Sequence, residues 1–318
     1  MIRFVSIEKA RKSKRSKRRS KLTMFKKHEA LSNAIGRAMR VDLVHGITRF
    51  KNRISLDAIR GAWETGNYAS LYTHVPWEKL PEDLEPSAKR MREAAGKSSE
   101  LETLRMPEPV RRDLRFDLKN PAMKRYLDER TAGMVGFIEE DSRSVIRRAI
   151  TRSFDQVRSP RAIALQVKDS IGLIPQHEIA VENYRLKLYS GGMQEDKADG
   201  LASKYADRLL DYRANMIART EVRNATNHGQ LSVWQAAGEQ GLFNAERAVK
   251  EWVVDGNPCE ICEPMDGKRV PLDDPWIIKY PDGETDEVDV PSESHPHCMC
   301  GMEILFEEDL EVEEDEED

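Results

Sequence analysis

The sequence predicts an α+β protein with mainly helical N-terminal and central regions, a small β-containing C-terminal unit, and a charged tail at each end. Three observations predict it. Apolar residues recur at helical spacing from about residue 28 to residue 234. β-branched runs set between Asp-Gly turn pairs cluster beyond residue 246. All four cysteines fall in that same last stretch. The expected divisions are a basic disordered arm over 1–21, a helical region and linker over 22–120, a helical domain over 121–245, the small unit over 246–306 and an acidic disordered tail over 307–318.

The tails follow from charge. Residues 1–21 carry ten Lys/Arg against the single acid Glu8, whereas residues 307–318 carry ten Asp/Glu and no base; the net charge is −5. Blocks of like charge cannot bury enough apolar surface to order themselves. Within 22–80, Leu31, Ile35 and Met39 stand four apart on one helix face, and Gly61, Gly66, Pro76 and Pro81 interrupt the pattern beyond them. Residues 80–120 are polar, with prolines at 81, 86, 107 and 109, and read as a linker or short helices. Asn120-Pro121 combines an N-cap with a first-turn proline and opens a helix to about Phe154. Ser159-Pro160 opens the next, stopped by Gly172 and Pro175. A third, about 177–189, ends at Gly191-Gly192. A fourth runs from near Asp196 toward Trp234, with a kink expected at Gly229. In the C-terminal unit Val249–Val254, Lys268–Leu272 and Met302–Phe306 read as strands. Asp255-Gly256, Asp266-Gly267 and Asp282-Gly283 read as turns in which glycine supplies a positive φ.

Composition excludes some classes. The longest nearly apolar run, Ala132–Ile138, is far shorter than the ~20 residues of a membrane span. The basic N-terminus has no apolar segment of a secretory signal. A reduced compartment is therefore expected, and disulfides are disfavoured there.

The cysteines are the strongest chemical signal. Cys259-Glu260-Ile261-Cys262 follows the first expected strand, and His295-Pro296-His297-Cys298-Met299-Cys300 precedes the last. Zinc takes four N/S ligands in a tetrahedron, and two such loops can supply them. A unit of this size has little core of its own and benefits from such a staple. The fourth ligand is open: Cys298 and Cys300 give an all-cysteine site, whereas His295 with Cys298 gives three cysteines and one histidine. Pro258-Cys259-x-x-Cys262 also matches half of a nucleobase deaminase signature. The other half, H-x-E, is missing, because His228 is followed by Gly229 and Gln230. The metal is therefore expected to be structural, with no catalytic residue and no organic cofactor. Trp234 and Trp252 are expected in the core, His228 in a structural or exposed place, and Arg219 and Glu221 as clamps from the helices onto the C-terminal unit.

An ordered series of residues resembles a known family. Ala218-Arg219-Thr220-Glu221 on a helix is followed by Trp252 on a strand, Cys259-x-x-Cys262, Asp266-Gly267, Val270-Pro271-Leu272, Tyr280-Pro281 and the His295–Cys300 segment. The series is similar to the phage Mu F-like head morphogenesis (minor head protein) family of tailed bacteriophages, over about residues 120–306. The family usually has Arg inside the final C-x-C, where this chain has Met299. The resemblance implies a non-enzymatic virion protein of the capsid interior, present in the host cytoplasm during assembly. It implies association with the portal and with major capsid or scaffold protein, and a part in procapsid assembly and in DNA packaging or ejection. The basic arm 1–21 suits contact with double-stranded DNA, and no membrane contact is expected. The competing reading is a zinc-dependent nucleic-acid-processing enzyme, a nuclease or a deaminase-like protein.

Overall fold

The computed structural model describes residues 14–116, 120–154 and 159–306. Eight α-helices precede the strands among these residues: α1 Lys14–Arg53, α2 Leu56–Glu64, α3 Leu80–Arg105, α4 Glu108–Asp113, α5 Pro121–Ser153, α6 Pro160–Ser170, α7 Pro175–Ser190 and α8 Glu195–Glu239. Five strands come after them: β1 Ala248–Val253, β2 Arg269–Pro271, β3 Trp276–Lys279, β4 Thr285–Val288 and β5 Gly301–Phe306. The α+β expectation holds at this level. Of the basic arm, residues 14–21 are the start of α1, while 1–13 and the acidic tail lie outside the described residues.

Local signals set several helix starts. Asn120 Oδ1 accepts from the Ala122 N–H at 2.9 Å, and Ser159 Oγ accepts from Ala162 N–H at 3.2 Å, each just ahead of a proline. The stripe of α5 is buried from Met123 through Ile150, but Phe154 is exposed and stacks beside Trp63 and Tyr68 instead. Two expectations fail here. The polar stretch after residue 80 is a single 26-residue helix, α3. Pro81 lies in its first turn, where the missing N–H costs nothing, and Pro86 is tolerated just inside. The buried face of α3 runs from Leu80 and Leu84 through Ala88, Met91, Ala94, Ala95, Ser98 and Ser99 to Glu102, mostly small or polar residues that weaken the hydrophobic stripe.

Gly229 is the second failure, because α8 runs through it unbroken. The reason for glycine is close approach: a Cβ at Gly229 would stand 2.3 Å from the Ala95 carbonyl oxygen of α3. Ser99 Oγ bonds the Gly229 carbonyl at 2.8 Å across the same contact. Gly229→Ala is therefore expected to destabilise by roughly 1–3 kcal/mol through overpacking, which outweighs the ~1 kcal/mol propensity gain of alanine. Gly200→Ala in the same helix meets nothing within 4 Å, and should stabilise by about 0.5–1 kcal/mol. Denaturant midpoints of the two variants check the pair; equal shifts would place the constraint elsewhere.

The chain forms two compact units, and neither follows the consecutive ranges that the sequence suggested. Among the described residues, one gathers those within 14–37, 90–127 and 219–306, and the other those within 38–89 and 128–218. The second unit is helical, with Met39, Leu43, Ile47, Phe50 and Ile59 of its first segments buried. It holds buried ion pairs, among them Arg185 with Glu182 at 2.7 Å and with Asp199 at 2.9 Å.

The first unit carries the strands. β2, β1 and β5 form an antiparallel sheet in that order, with Trp252 opposite Met302, and β3 and β4 form a separate hairpin. Gly267 and Gly283 take positive φ in their turns, whereas Gly256 does not. The β3–β4 hairpin flanks the Asp282-Gly283 turn and adds two strands to the three expected. The core of the sheet is not its own. Trp252, Trp276, Ile278, Met302 and Ile304 pack in one cluster with Met106, Leu231, Val233 and Trp234, which come from the helical part of the chain.

Candidate metal centre

The Cys259–Cys262 loop leaves β1, and the His295–Cys300 segment enters β5. These strands are neighbours in the sheet, so the two loops meet at one end of it. All five expected donors gather there, as two triangles with Cys262 in common: Cys259, Cys262 and His295, and Cys262, Cys298 and Cys300. His295 Nε2 stands 3.1 Å from Cys259 Sγ and 3.2 Å from Cys262 Sγ, and Cys262 Sγ stands 3.7 Å from Cys298 Sγ. Zn–S and Zn–N bonds of ~2.3 and ~2.0 Å give tetrahedron edges of about 3.8 Å between sulfurs and about 3.5 Å between sulfur and nitrogen. The donor set fits such an ion.

His295 is set for the role by its other nitrogen. Nδ1 lies 2.8 Å from the Pro296 carbonyl, which can only accept. The ring proton therefore sits on Nδ1, and the Nε2 lone pair faces the sulfurs. The thiols are polarised as well. Bonds from the Cys262 and Cys300 thiols pull Cys298 down to about 3, and the bonds of Cys262 with Cys298 and Cys300 push Cys262 up. At Cys259 burial opposes ionisation, but the backbone N–H groups of Cys262 and Ile261 outweigh it and lower the thiol.

A stripe of α8 reads the backbone of this segment. Thr220 Oγ1 accepts from the His297 N–H at 3.1 Å. Arg223 Nε and Asn227 Nδ2 both donate to the Cys300 carbonyl at 3.1 Å, and Asn227 also donates to Ser292 Oγ at 2.9 Å. Gln230 Nε2 donates to the Met302 carbonyl at 3.0 Å, and Arg105 of α3 donates to the Ile304 carbonyl at 2.6 Å. Residues 220, 223, 227 and 230 lie on one helix face. The carbonyls of 300, 302 and 304 are the outward row of β5, so helix side chains occupy the edge where a further strand would pair.

Of the expected clamps, Glu221 is buried and Arg219 is corrected by this arrangement. Arg219 is exposed, and Arg223, four residues on, holds the knuckle. His228 is structural: its Nε2 lies 2.7 Å from Glu293 Oε1, and Tyr126 stacks on its ring. His297 is not in the donor cluster, and it takes a positive φ of 68°. Trp234 and Trp252 are in the core as expected.

One buried constellation in the first unit mimics a nucleophilic triad. Ser98 Oγ lies 3.1 Å from His28 Nδ1, and His28 Nε2 lies 2.7 Å from Glu102 Oε1. The single Ser98 hydroxyl proton is committed to the Thr226 carbonyl at 2.7 Å. Ser98 therefore accepts from the His28 Nδ1–H, and His28 Nε2 faces the Glu102 carboxylate. With Ser98 and Glu102 fully buried, the group is a core network and not a nucleophile. No helix among the described residues is long and apolar enough to cross a membrane. Comparison of the chain with known protein families, with curated proteins and with solved structures finds no match.

Proposed function

We propose that this chain is a bacteriophage minor head protein of the head morphogenesis type, which acts by binding and carries one structural zinc on Cys259, Cys262, His295 and Cys298. The observation that carries the zinc is the pair of donor triangles joined at Cys262. His295, with Nε2 turned to the sulfurs, favours the three-cysteine, one-histidine set over the all-cysteine one. Bound there, the ion ties the loop after β1 to the segment before β5. Four protein ligands leave no open position for a substrate.

The virion reading rests on the ordered series from Ala218 to Cys300. Its Thr220, Cys259, Cys262 and His295–Cys300 members lie in one compact unit. In this reading the protein sits in the capsid interior, contacts the portal and major capsid or scaffold protein during procapsid assembly, and meets double-stranded DNA through its basic arm.

Two measurements test this. Full-length protein should be retained on immobilised portal protein and should show no nuclease or deaminase turnover. Metal-dependent turnover would replace this reading with the zinc-dependent nucleic-acid enzyme. Deleting residues 1–13 should weaken duplex DNA binding and flatten its salt dependence, by about 0.9 in log–log slope for each phosphate that is no longer neutralised. An unchanged slope places the DNA-binding surface elsewhere.

A further inference from the structure

Arg223 is fully buried, and none of its contacts is a carboxylate among the described residues. Its fork meets neutral groups: Nε donates to the Cys300 carbonyl at 3.1 Å, Nη1 to Ser32 Oγ at 3.4 Å, and Nη2 has no hydrogen-bond partner. The guanidinium also lies 5.2 Å from the centre of the Phe25 ring. There is no slack around it, since a Cβ at Gly301 would come within 2.8 Å of Nη2. Other buried or half-buried arginines do have acids: Arg185 has Glu182 and Asp199, Arg213 has Asp141, and Arg105 has Glu303. A guanidinium cannot escape burial by losing its proton, and an uncompensated buried charge is strongly unfavourable.

The guanidinium is tied directly to the cysteine segment through the Cys300 carbonyl. Burial pushes the guanidinium down from its ordinary range, and the groups that oppose this are, in order, Cys298, Cys300, Glu29 and Asp255.

We infer that Arg223 is the counter-charge of the metal centre, a positioning residue that allows three thiolates to gather around one divalent ion inside the protein. The inference rests on the zinc reading above. A divalent ion with Cys259, Cys262 and Cys298 as thiolates and a neutral His295 carries one net negative charge, which Arg223 cancels. A site with two thiolates is neutral and offers Arg223 no charge to cancel, while four thiolates leave one charge in surplus. The fork also holds the carbonyl of Cys300, two residues from the Cys298 ligand, and Asn227 shares that acceptor.

The test uses full-length protein loaded with Co(II), then displaced by Zn(II), with Arg223→Met and Arg223→Lys beside the wild type. The thiolate-to-cobalt charge-transfer intensity of the wild type should count three thiolates. Arg223→Met should lose about 10- to 100-fold in metal affinity, and Arg223→Lys, which keeps the charge, should lose less. Stability supplies the readout that a packing role would not move. Metal-free Arg223→Met should melt no lower than metal-free wild type, because the unpaired cation is gone, whereas the metal-loaded variant should melt lower than loaded wild type. Equal affinity of Arg223→Met and wild type, or an equal loss of melting temperature with and without metal, overturns the counter-charge role alone. If Arg223→Met does not fold, the wild-type spectrum decides, and a count other than three thiolates overturns it. A wild type that takes up no metal overturns both the zinc reading and this one.

Discussion

Removing the metal is expected to loosen the first unit by several kcal/mol, and Cys262→Ser should reproduce the loss. Structural zinc contributes on the order of 10–16 kcal/mol of apparent binding free energy in isolated fingers, where the apo peptide is unfolded. The loss here should be smaller. The strands share their core with Met106, Leu231 and Trp234, so the sheet keeps an apolar anchor when the knuckle opens. Chelation should therefore raise amide exchange first over about residues 255–266 and 291–300 and lower the melting temperature. Cys262 belongs to both donor triangles, so its loss disrupts any four-ligand set drawn from the cluster. Cys300→Ser should keep one equivalent of zinc, because its backbone carbonyl and not its sulfur is the group that Arg223 and Asn227 hold. Elemental analysis and thermal melts with and without chelator check these outcomes. Less than about half an equivalent of zinc in the wild type, with a melt indifferent to chelator, would end the structural-metal reading.

What the sequence shows and hides divides along physical lines. The starts of α5 and α6 were legible because Asn120-Pro121 and Ser159-Pro160 act within one helical turn. The donor set was legible because Cys-x-x-Cys and the His295–Cys300 segment are rare residue types at ligand spacing. Helix α3 was not, since Ala88, Ala94, Ala95, Ser98 and Ser99 fill most of its buried face and only Leu80, Leu84 and Met91 mark the apolar period. The two units were not either, because they are sewn by contacts such as Trp234 with Glu102, 132 positions apart, to which no local pattern points. Arg219 and Arg223 are chemically the same residue on one helix. Only the rotational phase of α8 against the knuckle decides that the second is buried, and that phase is a tertiary fact.

Glu102→Ala is expected to cost about 3–5 kcal/mol, the range for breaking a buried ion pair from one side. Four side chains converge on this carboxylate. Oε1 accepts from His28 at 2.7 Å and from Gln230 at 3.1 Å; Oε2 accepts from the Trp234 indole at 2.8 Å and lies 3.5 Å from Arg105. The first three donors are buried. Truncation strands them all. Glu102→Gln keeps the shape and removes the charge, and it should recover part of the loss. Adding His28→Gln to Glu102→Gln should cost less than the sum of the two single changes, since each partner's absence relieves the other. The pH dependence has a definite sign. Burial raises the Glu102 carboxyl, but the His28 bond and the Arg105 charge outweigh it, and the folded value lies below the ordinary one. Its contribution is therefore fully present above the unfolded carboxylate value of about 4.3 and is lost as pH falls through the folded value. The stability gap between wild type and Glu102→Gln should be widest at neutral pH and close in acid. A gap that stays constant from neutral pH to about pH 3 would show that the carboxylate is not the charged centre of this network.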